Sequence, residues 1–106
     1  MVKKSLKVIW DNEAKKSLQK IYQYIKARES VAVAKRVVNE ITAQTKTLNI
    51  FPEKFEVEHH LENEPGDYRY KVIWSYKIIY EVTKESINIL DIFHTSRDPS
   101  NLKGRI

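Results

Sequence analysis

The chain has no cysteine, only two glycines, and no long apolar run among its 106 residues. Without cysteine there are no disulfides and no thiolate metal ligands, which is compatible with a reducing compartment. Glycine occurs only at positions 66 and 104, so a glycine loop that cradles phosphate is ruled out. No stretch approaches the roughly 20 apolar residues of a membrane span. The apolar part of MVKKSLKVIWDNE is shorter than the core of a secretory signal. Neither HExxH nor paired carboxylates at helical spacing occur. His59, His60 and His94 are the available imidazoles, and adjacent histidines on a strand point to opposite faces, which spoils a zinc geometry. These absences predict a cytoplasmic protein, with no membrane segment, metal or cofactor.

What remains is enough for one domain, residues 1–106. A chain of this size buries roughly 65% of the surface that its unfolded form exposes, so a core forms without staples. The net charge is +5, and it is unevenly spread. Residues 1–28 hold eight Lys/Arg against two acids, whereas residues 29–66 hold four against seven. A basic segment of this kind attracts polyanions or an acidic protein partner. It is equally the solvated face of a lysine-rich helix.

Residues 5–10 (SLKVIW) read as a short strand with Leu6, Val8 and Trp10 on one face. Asp11 offers a cap for a helix whose apolar stripe is Ala14, Leu18, Ile21, Tyr22 and Ile25. Ser30 caps a second helix over residues 31–49, with Ala34, Val37, Val38, Ile41, Thr45 and Leu48 facing inward. Pro52 ends it, because proline pushes the preceding residue out of helical geometry. Residues 55–61 read as a strand or an extended loop, and ENEPGD as a turn. YRYKVIW, YKIIYEV and INILDIFH follow as three strands of an antiparallel meander. The expected fold class is α+β, in the order β-α-α-β-β-β. Its N-terminal helical hairpin packs on one face of a twisted C-terminal sheet, and the other face is left open.

Candidate chemistry lies on that sheet. Arg69 and Lys71 are two apart and share a face, Lys77 starts the next strand, and Asn88 shares a face with His94. Strict alternation puts Asp91 on the opposite face with Ile87, Ile89 and Phe93. If the open face gathers Arg69, Lys71, Lys77, His94 and Arg97, it is a cationic patch with one imidazole, suited to phosphate. Such a patch can also support RNA cleavage, with cations on the charged phosphorane and an imidazole in either proton role. The plain alternatives are a structural His94, an Arg69 paired with Asp67 or Asp91, and tyrosines that only pack. His59 and His60, set among glutamates, read as a solvated loop.

The order VIWDNEAKKSLQKIYQYI, AKRVVNEITAQTKTLNIFP, YRYKVIWSYKIIYEV and INILDIFHTSRDP resembles the RelE/ParE superfamily of toxins, and most of all its ParE-like, plasmid stabilization branch. The likeness covers nearly the whole chain. It implies a growth-inhibiting toxin neutralised by a cognate antitoxin that is acidic and partly disordered, in a hetero-oligomer. ParE-like members poison DNA gyrase, and RelE-like members are metal-independent endoribonucleases that cut mRNA on the ribosome. Thr95 and Ser96 stand where several ribonuclease members carry acid–base residues, and no tyrosine follows Tyr80. Gyrase is therefore the first expectation. Cleavage through His94, Arg97, Arg69 and Lys77 is the alternative, and a non-toxic interaction module is the third. Arg69→Ala is expected to lower toxicity without unfolding the chain.

Overall fold

The computed structural model describes residues 6–96. The chain runs β1 (Lys7–Trp10), α1 (Asn12–Arg28), α2 (Val31–Lys46), β2 (Asp67–Ile73), β3 (Tyr76–Val82) and β4 (Ser86–His94). Single 3-10 turns occupy Thr47–Asn49, Pro52–Lys54 and His59–Leu61. The predicted α+β order is observed. Asp11 caps α1 by accepting from the Glu13 amide, and Ser30 caps α2 through the Val33 amide. The Glu29 amide closes the end of α1 on the Ile25 carbonyl, and Ser30 follows at once, so the two helices form a hairpin.

The sheet order is β1-β4-β3-β2. β2, β3 and β4 form the predicted antiparallel meander, and β1 adds a parallel edge through Val8↔Ile87 and Trp10↔Ile89. A two-residue turn, Trp74-Ser75, joins β2 to β3, with Trp74 at φ 56°. This is the left-handed region that hairpin turns require. Gly66 precedes β2 at φ +130°, and a Cβ there would meet the Tyr68 ring at 2.8 Å, so the turn needs glycine.

The helical hairpin covers one sheet face. Ala14, Ile25, Ala34, Val37, Ile41 and Leu48 pack there against Ile73, Ile78, Tyr80, Ile87, Ile89 and Ile92. Leu6, Val8 and Trp10 join them, as the alternation in β1 predicts. The far face is not bare, which corrects the sequence expectation. Residues 58–61 cross it as a strap, and Leu61 buries against Tyr68, Ile79 and Phe93. The strap is tied to the edge of β2 by two backbone bonds, Tyr70 amide to Glu56 carbonyl and Glu58 amide to Tyr68 carbonyl.

Strict alternation also fails within β4. Tyr80 pairs with Ile89 but Ile79 pairs with Asp91, so Leu90 is an extra residue in a β-bulge. The bulge resets the phase. Ile92 joins Ile87 and Ile89 in the helix-side core, whereas Phe93 goes to the far cluster. Asp91 is buried and accepts from the Ser17 hydroxyl of α1 at 2.6 Å.

Candidate functional site

The sequence expected Arg69, Lys71, Lys77, His94 and Arg97 on one open face. The register of the β2–β3 hairpin prevents it. Ile73↔Tyr76 closes the two-residue turn, so Arg69 pairs with Tyr80 and Lys71 with Ile78, while Lys77 pairs with Val72. Directly paired residues share a face. Arg69 and Lys71 therefore lie on the helix side, with Tyr80 and Ile78, and Lys77 lies on the far side. Arg97 falls outside the described residues.

Arg69 is a structural tie. Its Nε donates to Asp67 Oδ1 at 2.9 Å, and its Nη1 donates to the carbonyls of Glu53 (3.1 Å) and Phe55 (2.8 Å). The fully buried Tyr80, directly across from it, donates its hydroxyl to the Pro52 carbonyl at 2.9 Å. Burial pushes the Tyr80 phenol up to about 12, against the pull of the Arg69 charge. Together these two side chains hold the segment after α2 against the sheet. Arg69 Nε and Nη1 and the Tyr80 hydroxyl are thus each engaged by the chain itself.

Lys71 lies beside the same segment, with its ammonium 4.8 Å from the centre of the Phe55 ring. Burial, then repulsion from Lys54, lowers its pKa, and Glu40 partly offsets them.

Lys77 is held by an ion pair to Glu58, whose side chain is 1% exposed. The ammonium also sits 4.2 Å from the centre of the Tyr70 ring. Glu58 Oε2 accepts from the His60 amide at 2.8 Å and lies 2.9 Å from His60 Nδ1. Burial would raise the Glu58 carboxyl, but the bonds from Lys77 and His60 outweigh it and hold the pKa below its ordinary value of 4.5. This network locks the strap to the far face. Sequence reasoning missed Glu58 and Leu61, because EVEHHLENE has no apolar period and reads as solvated loop. His59 and His60 are exposed as expected.

His94 ends β4 on the helix side. Its ring meets Tyr76 edge-on, with centroids 5.6 Å apart. The Ser96 amide donates to His94 Nδ1 at 3.1 Å, and the Ser96 hydroxyl lies 2.8 Å from the same atom. Because an amide can only donate, Nδ1 is the acceptor and the neutral ring keeps its proton on Nε2. His94 and Ser96 line a cleft against Lys16, Lys20, Ile21 and Tyr24 of α1. The sequence did carry a signal for this wall, since residues 16, 20 and 24 recur at helical spacing off the core stripe. Among the described residues, no group of three or more His, Asp or Glu side chains is placed to hold a metal ion. No helix among them is long and apolar enough to cross a membrane.

A helical hairpin packed on a four-stranded sheet, antiparallel except for the parallel edge strand β1, defines a small α+β fold. The sequence model of the ParE toxin of type II toxin–antitoxin systems (parDE) matches residues 8–99, and the chain belongs to that family. Its fold is similar to a chain of the chromosomal ParDE toxin–antitoxin system from P. aeruginosa. The TM-score is 0.72 at 22% identity, covering 85% of this chain and 96% of that one. It is also similar to the YoeB dimer from Staphylococcus aureus, with TM-score 0.58 and 18% identity over 86% of this chain and 99% of that one. No curated protein matches the chain significantly.

Proposed function

We propose that this type II toxin acts in the cytoplasm by binding and inhibiting DNA gyrase, without catalysis of its own, and that a cognate acidic antitoxin neutralises it. The observation that carries this reading is the separation of Arg69 from Lys77 on opposite faces, each engaged by a carboxylate of the chain itself. Ribosome-dependent cleavage needs several cations converging on one phosphate. Here the described candidates are divided among three places, and His94 stands apart from both Arg69 and Lys77. Inhibition by binding needs only a surface, which this arrangement leaves available. Membership of the ParE family favours the same target, and the ParDE title of the similar structure favours an antitoxin partner. The net positive charge of residues 1–28 suits an acidic partner.

Two assays test the proposal side by side. Purified toxin is expected to block supercoiling by gyrase in a dose-dependent way and to leave mRNA on programmed ribosomes uncut. Unaffected supercoiling together with codon-phased cuts would replace it with the ribonuclease reading. Harmless expression in bacteria lacking the antitoxin would favour the interaction module instead.

A further inference from the structure

The cleft between α1 and the end of β4 has no role in that proposal. It encloses about 510 Å3, within the roughly 300–1,000 Å3 typical of small-molecule sites. Ile21 and Ile92 give it apolar lining, and Tyr24 and Tyr76 bring two aromatic rings to it. Its polar groups are mostly donors. Lys16 and Lys20 stand one helical turn apart on the same wall. His94 has Nδ1 occupied by Ser96, which leaves the protonated Nε2 as its free donor. Tyr76 brings a phenolic hydroxyl, a donor at neutral pH as any tyrosine is, and burial and then the neighbouring Tyr24 raise its pKa further. Glu13 is the one carboxylate of the lining, and it lies 3.9 Å from the Lys16 ammonium.

A cleft with paired cations, a fixed imidazole donor and aromatic walls matches an anion that carries a ring. We propose that it binds a nucleoside monophosphate, with the phosphate on Lys16, Lys20 and His94 Nε2–H and the base against Tyr24 and Tyr76. Charge-assisted bonds to phosphate oxygens supply the anchor, and ring contacts supply selectivity over bare phosphate. Residues 97–106 do not suit this cleft, because they hold Arg97, Lys103 and Arg105 against Asp98 and so repel its lysines. A side chain of an acidic peptide would satisfy the cations but leave the aromatic walls without a ring.

The test is a titration of the full chain, followed by amide NMR, with adenosine 5′-monophosphate, adenosine and inorganic phosphate as separate probes. The monophosphate should saturate, with shifts at α1 and the end of β4. Adenosine and phosphate should each bind at least about tenfold more weakly, the loss expected when a charge-assisted contact or the ring contact is removed. Lys20→Gln and His94→Gln should each weaken the monophosphate by about tenfold. Lys26→Gln, on the same helix but outside the cleft, should not. Thermal melts of the variants confirm that each is folded. No saturation up to about 5 mM (a free energy near −3 kcal/mol), phosphate binding as tightly as the monophosphate, or equal affinity in all three variants would overturn the proposal. So would an acidic peptide that shifts the same amides when the monophosphate does not. The outcome is independent of the gyrase and ribosome assays.

Discussion

The two faces of the sheet are closed by different physics. On the helix side, two amphipathic helices bury a continuous apolar layer, and the position of each residue follows from a 3.6-residue period. On the far side, a short strap closes the sheet with one leucine and one buried carboxylate, and its hold depends on the Glu58–Lys77 pair. The first arrangement supplies stability through area. The second supplies position, because a buried charge is tolerated only where its partner stands. The lysine that closes the strap is the same Lys77 that the sequence offered as a phosphate-binding cation.

Core truncation should produce the largest effect and should fall hardest on the helix side. Ile41→Ala and Ile78→Ala are each expected to cost about 4 kcal/mol, because both are fully buried and lose transfer and cavity energy together. Leu61→Ala should cost about 2–3 kcal/mol, nearer the low end of that class, since its strap can move into the space. Chemical denaturation measures both. Equal losses would mean that the strap is as rigid as the helical layer.

The ion pair comes next. Lys77→Met and Glu58→Gln should each cost about 3 kcal/mol by leaving a buried partner uncompensated. Replacing both, as in Glu58→Leu with Lys77→Met, should restore most of the loss, and a double-mutant cycle reads the coupling. The pH dependence has a definite sign. Glu58 has its folded pKa below 4.5, so its contribution is complete above about pH 4.5 and is lost as pH falls through the folded value. Acid unfolding should therefore begin later in the double variant, measured relative to its own stability at neutral pH.

Arg69→Ala should destabilise by about 2 kcal/mol, since it removes an ion pair and leaves two backbone carbonyls without a donor. The pairing with Asp67 is the structural alternative that the sequence offered for Arg69, and amide exchange across residues 52–55 should report the release. The smallest effect should come from Ser30→Ala. Loss of its cap bond to Val33 should cost about 1 kcal/mol in a thermal melt, without moving either face of the sheet.

These differences also explain what could be read from the residues alone. Both helices, their caps Asp11 and Ser30, and the three late strands announce themselves through period and turn chemistry. The parallel pairing of β1 does not, because a four-residue strand gives no sign of its partner. The face of Lys77 follows from a turn of two residues, Trp74-Ser75, and one residue more would have reversed it. The bulge at Leu90 has no signature in NILDIF, yet it moves Ile92 and Phe93 to sides that alternation denies them. Glu58 was illegible for a different reason. A glutamate among glutamates and histidines is normally solvated, and only the strap's path brings it to Lys77. The predicted cationic patch failed because its residues were assigned to a face before the register was known.

The most direct test is growth arrest by the Glu58→Leu, Lys77→Met double variant, expressed without antitoxin and checked for a cooperative melt. If Lys77 serves only to fasten the strap, the folded variant should arrest growth and block gyrase as the parent does. A folded variant that leaves growth unimpaired would place the lysine's charge in the toxic act and contradict the account.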